Sequence, residues 1–171
     1  MLLFTFPLFV FLGSVVFLKE HWTLKSAVSV IIAILGLVLL VAGDLQIKNS
    51  LGWMAALGAA LCYSIYVMLS HRLQKNILPL TSSFYVISAA GLSLFLIHQP
   101  KLTILTEASA HVGWLFFGVS VIGTIAPLTL FLFGLQQISS TQASVLVMIE
   151  PVTATFLAYL CFGEAITWTQ G

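Results

Sequence analysis

An all-helical integral membrane protein is the fold class this sequence predicts, and three observations predict it. Of its 171 residues, 60% are hydrophobic and 6% charged, with a mean hydropathy of +1.13. A water-soluble domain carries roughly 25% charged and 45–50% apolar residues, so this chain has too few polar groups to cover a surface in water. Apolar runs near the ~20 residues needed to cross a hydrocarbon core recur at 2–18, 27–43, 52–69, 79–98, 112–135 and 142–162. The breaks between them are short and polar: KEHWTLK, GDLQIKNS, SHRLQKN, HQPKLTILTEASAH and QQISSTQ. Within a bilayer each backbone polar group must be satisfied inside its own helix, so the prediction is a polytopic helical bundle with six spans.

Each element follows from its residues. Span 2–18 has no basic segment before it, and Lys19 and Lys25 come after it, the reverse of a signal peptide. Span 52–69 carries small residues four apart (Gly52/Ala56/Ala60, Ala55/Ala59, Gly58/Cys62), a pattern that lets helix backbones approach closely. In 112–135, Gly123 and Pro127 predict a bend. Cys62 and Cys161 lie inside apolar runs, where they read as small buried or lipid-facing side chains and not as a disulfide framework. Lys19, Lys25, Arg72 and Lys75 fall on one side of the membrane, Lys48 and Lys101 on the other. The richer side is expected in the cytoplasm, which puts Met1 and Gly171 outside.

The chain also matches itself. An offset of 144 positions aligns FPLFVFLGSVVFLKEHWT (6–23) with EPVTATFLAYLCFGEAIT (150–167), pairing Pro7 with Pro151, Glu20 with Glu164 and Thr23 with Thr167. The matched helices are the first and sixth spans. An odd separation in spans reverses orientation, the plan of transporters built from inverted repeats around a midplane substrate path. The alternative is chance, because proline, acid and threonine in apolar filler make a short motif.

These residues resemble the EamA-type permeases of the drug/metabolite transporter superfamily. FPLFVFLGSVVFLKEHWT followed by LKSAVSVIIAILGLVLLVAGD looks like helices four and five of that family's first half. SLGWMAALGAALCYSIYVMLSHRL looks like helix six, and GTIAPLTLFLFGLQQISSTQASVLVMIEPVTATFLAYLCFGEAITWTQG looks like helices eight and nine. The resemblance implies inverted five-helix repeats: 1–43 as the end of the first, 44–50 as an inter-repeat loop, and 51–171 as the second without its last helix. About three helices are then expected before Met1 and about one after Gly171. The chain reads as a piece of a longer protein, a truncated frame, or a shortened member that pairs with another chain. The apolar start MLLFTFPLF favours the piece.

Glu150 is the sharpest candidate residue. It lies about seven residues, or ~10 Å, into its span, inside a core ~30 Å thick. A carboxylate there costs ~2.5–3.5 kcal/mol unless it faces a cavity or partner or stays protonated. Pro151 removes the hydrogen bond to the carbonyl of Val147 and loosens the helix at that level. The expected role is a titrating or substrate-contacting acid; the alternative is a buried acid bonded to a neighbouring helix. Tyr63 and Tyr66 share a face with Ala59, Cys62 and Ser70, and Thr153 shares the face of Glu150. The family's central cavity implies Tyr63, Tyr66, Thr124, Glu150 and Thr153 as substrate-binding residues. The alternatives are packing for the tyrosines and backbone hydrogen bonding for the threonines. Glu20 and Glu164, at helix ends, read as turn or capping residues paired with nearby lysines.

Net charge +1 with six Lys/Arg argues against a nucleic-acid partner. His21, His71, His98 and His111 are never three or four apart, so no metal site or other cofactor is expected, and no catalytic constellation or phosphate loop is apparent. The expected function is a secondary transporter or exporter of small metabolites, amino acids or drug-like compounds. It would work by alternating access, as a multi-pass protein of the cell (inner, cytoplasmic) membrane. Its expected partners are the lipid bilayer, a small-molecule substrate, and either a second copy or a completing membrane subunit. The rival reading is a truncated, non-transporting membrane protein that assembles with or regulates a complete permease.

Overall fold

The computed structural model describes residues 2–21, 23–41, 50–98 and 110–163. The described elements are helical: a 3₁₀ turn Leu2–Thr5, α1 (Phe6–Phe17), α2 (Leu24–Val41), α3 (Ser50–Leu73), α4 (Pro79–His98), α5 (Ala110–Ser120), a π-helical turn Val121–Ile125, α6 (Ala126–Gly134), α7 (Ser140–Val147) and α8 (Ile149–Phe162). Among the described residues, four stretches are long and apolar enough to cross a membrane: Leu51–Leu73, Pro79–His98, His111–Gly134 and Ser140–Phe162. The first predicted span appears as a shorter apolar helix, Leu3–Phe17, and the second as α2, Leu24–Val41. The protein is a multi-pass helical membrane protein. Its many exposed apolar side chains, Leu35, Phe84, Ile97, Phe116 and Phe156 among them, are what lipid contact requires.

Prolines set the irregularities. Pro7 stands in the first turn of α1, where a missing N–H costs nothing, and the chain before it is 3₁₀. The predicted bend in 112–135 is a π-helical turn at Val121–Ile125 that ends just before Pro127, the kind of local widening that accommodates a broken hydrogen-bond ladder. The predicted span 142–162, where Pro151 is expected to loosen the helix, carries a one-residue turn at Met148 between α7 and α8. Pro151 has no N–H for the Val147 carbonyl, and Met148 N instead closes a tight turn on Val145 O at 3.0 Å.

The chain divides into two compact units, Met1–Arg72 with Ile138–Gly171, and Leu73–Gln137. In the first, α1 packs on α7 and α2, and α2 also meets α7. The buried face of α1 is Phe6, Pro7, Val10, Gly13 and Ser14, the spacing of one helical stripe. Gly13 lies against α3, where a Cβ in its place would come within 2.5 Å of Met68 Sδ. Of the small-residue rows on α3, the one continued by Ala60, Ser64 and Val67 is buried. Gly52 and Gly58 have no neighbour within 4 Å of a built Cβ, and Cys62 is exposed. The close approach foreseen there is made by Gly13 instead.

In the second unit α4 packs on α6. Thr129 Oγ1 donates to Ile125 O at 2.7 Å and lies 2.9 Å from Ser83 Oγ, an interhelical hydroxyl contact of the kind that joins helices in lipid. Gln136 Nε2 donates to the carbonyls of Gln74 (2.8 Å) and Ile77 (3.2 Å), fastening the α3–α4 turn beside the end of α6.

Candidate functional site

Two groups of functional side chains stand out in the first unit. The first is aromatic. Phe6, 2% exposed, meets Tyr63 edge to face with ring centroids 4.7 Å apart, and Tyr63 meets Tyr66 at 5.8 Å. Edge-to-face geometry is the favoured arrangement of two ring quadrupoles. Ser64 Oγ, one residue along α3, donates to Ala60 O at 2.6 Å and lies 3.2 Å from Phe6 O, pinning the start of α1. The Tyr66 hydroxyl is buried, with Ser70, one helical turn along α3, beside it. Glu150, in the first turn of α8, is exposed.

The other nominated residues fare differently. Thr153 Oγ1 donates to Glu150 O at 2.9 Å and lies 3.2 Å from Ile149 O, bonding within its own helix. Thr124, exposed, sits in the π-helical turn of the second unit. Glu164 lies outside the described residues. A groove of about 470 Å³ opens between α2 and the α7–α8 break, lined by Ile32, Ala33, Gly36, Met148, Pro151 and Val152 with Ser29 as a polar edge. The break thus shapes a cavity, but the nominated polar residues do not line it.

The second group was not foreseen. Glu20 caps a helix distant in sequence instead of its own turn, and pairs with a histidine instead of a lysine. Its Oε1 accepts from Ser140 N (3.3 Å) and Ser140 Oγ (2.7 Å) and lies 3.7 Å from His71 Nε2. Its Oε2 is 3.4 Å from Thr141 Oγ1, which in turn is 2.9 Å from Ser14 Oγ. The carboxylate sits at the N-terminus of α7, where unpaired N–H groups and the helix dipole favour negative charge. The same terminus carries a capping box: Ser139 Oγ accepts from Gln142 N, and Gln142 Oε1 accepts from Ser139 N, both at 3.2 Å. Ser-x-x-Gln before an apolar run was the available signal. It marks the helix start but does not name Glu20, 120 residues away.

The profile of the EamA-like transporter family matches residues 50–171. The chain belongs to the EamA-like transporter family. An uncharacterized transporter of Archaeoglobus fulgidus is 29% identical over 175 residues, covering 99% of this chain and 60% of that protein. The uncharacterized transporter YcbK of Bacillus subtilis is 26% identical over 177 residues, covering 99% of this chain and 57% of YcbK. The chain thus spans less than two thirds of the length of these two family members. No solved structure matches it.

Proposed function

We propose that this EamA-family chain forms the larger part of a permease that moves small metabolites, amino acids or drug-like compounds across the cell membrane. The mechanism is alternating access by two inverted repeats, of which 51–171 belongs to the second and 1–43 to the first, with α1 and α2 counted as spans beside the four longer ones. Glu150 carries this reading. It is an exposed carboxylate in the first turn of α8, beside the turn at Met148, in the same compact unit as the aromatic pair Tyr63 and Tyr66. Deformable helix breaks with polar groups at mid-membrane are where transporters hold substrate or coupling ions. Tyr63 and Tyr66 supply ring faces and hydroxyls, and Glu150 supplies the charge. Thr153 and Thr124 keep a secondary role as lining hydroxyls.

The test is Glu150→Gln in the complete protein reconstituted in vesicles, with flux of candidate amino acids and amphipathic amines followed across pH. The expected result is depressed flux that has lost its pH dependence. Unchanged pH-dependent flux removes Glu150 from the coupling role. Absence of flux from the unmodified protein, with recovery of a second membrane subunit on purification, supports the rival reading of a regulatory partner.

A further inference from the structure

Glu20 joins three helices through one carboxylate. It sits two residues beyond the cap of α1, it accepts from the first residues of α7, and it approaches His71 near the end of α3. We propose that this contact is a releasable latch that closes the membrane face bearing Lys19, Lys25 and Arg72, with α7 as the lever it holds. The inference rests on the alternating-access reading above.

Four features make the contact a latch and not a buried fastening. Glu20 and His71 side chains are 19% and 16% exposed, so water can replace the bonds when they open. Beside them is a cavity of about 180 Å³ bordered by Ser14, Glu20, His21, Ser26, Ser139 and Thr141, room for several waters at ~30 Å³ each. Glu20 is aimed by Lys19, a non-glycine residue in the left-handed region at φ 54°, a conformation held against a steric cost. Finally, α7 is short, eight residues between the latch and the Met148 break, so it can pivot about that break without disturbing α8. The charged and titratable groups at this end of the elements meeting here are Lys19, Glu20 and His21 in the α1–α2 connection, Lys25 at the start of α2, and His71 and Arg72 at the end of α3; α7 contributes none. Glu20 is a positioning residue for α7, and makes no claim on substrate.

The opposite end of α1 supplies a control. Ser64, 1% exposed, is covered there by Phe6, whereas Ser144, fully buried on α7, lies one turn beyond Ser140 on the latch side. In a cysteine-free version of the complete protein in membranes, Ser144→Cys and Ser64→Cys serve as reporters for a water-soluble maleimide. Glu20→Gln removes the charge and is expected to speed labelling of Ser144→Cys roughly tenfold, the scale of one charge-assisted hydrogen bond, while slowing that of Ser64→Cys. Ser140→Ala, which leaves Glu20 in place, is expected to shift both rates the same way by less. Faster labelling at both positions would mean a loosened fold, and unchanged rates a static cap; either overturns the latch. Failure of the transport reading shows separately, as reciprocal labelling in a protein that moves no substrate.

Discussion

Lys19 and Gly163, 144 positions apart, both sit in the left-handed backbone region, at φ 54° and φ 65°. Each ends a helix with a proline in its opening turns, Pro7 in α1 and Pro151 in α8, and each is followed by a glutamate. Helices very commonly end on a residue in this region, which turns the chain and satisfies their last carbonyls. Glycine adopts this conformation freely and lysine does not. Lys19→Gly is therefore expected to stabilise the protein by ~1 kcal/mol, and Gly163→Ala to destabilise it by ~1 kcal/mol. Denaturant unfolding in detergent measures both, and a loss of stability in Lys19→Gly would count against strain at that turn.

The contact between Ser14 and Thr141 joins α1 to α7 at 2.9 Å with both residues buried. Interhelical side-chain hydrogen bonds in membranes couple by ~0.6 kcal/mol on average and by ~1.7 kcal/mol at most. A double-mutant cycle of Ser14→Ala and Thr141→Val is expected to return a coupling within that range. A value near zero would show that this hydroxyl pair adds nothing to the packing of α7 on α1.

Gly13 faces the flexible end of Met68, 2.5 Å from where a Cβ would stand. Methionine can swing its thioether aside, so Gly13→Ala is expected to cost less than ~1 kcal/mol. Gly13→Leu overpacks the α1–α3 crossing and is expected to cost ~1–3 kcal/mol. Adding Met68→Ala should restore much of the loss, and a Gly13→Leu defect untouched by that second change would place the clash elsewhere.

Pro151 keeps α7 and α8 apart by withholding an N–H from Val147. Pro151→Ala supplies that donor. The expected outcome is a continuous helix through Met148, seen as slowed hydrogen exchange at residues 148–151, with flux reduced in the complete protein because α7 has lost its pivot. Preserved flux with a protected, continuous helix would exclude the break from the transport cycle.

The helices were legible in the sequence because a bilayer imposes a one-dimensional rule. Length and apolarity decide whether a segment spans, and the starts of α4 at Pro79 and its end at His98 match the predicted 79–98. Prolines were legible for the same local reason: Pro127 and Pro151 each act on the helix turn that precedes them. The candidate site was less so. Tyr63 and Tyr66 share a face by helical spacing alone, but that Phe6 would seat against Tyr63 depends on how α1 crosses α3, which no periodicity encodes. Small-residue rows misled for a related reason. Any face of α3 with glycine or alanine four apart permits close approach, and only the partner helix selects Ala60 and Ser64 over Gly58 and Cys62.

By itself the sequence determined that the chain is a helical membrane protein, where its helices break, and that it carries the features of a permease family, because these rest on composition and on neighbours within one or two turns. Only the tertiary structure decided that Glu20 belongs to α7. A carboxylate chooses among all the donors that the packed helices bring near it, and the ones it takes, Ser140, Thr141 and His71, lie 51 to 121 residues along the chain, beyond the reach of any local rule.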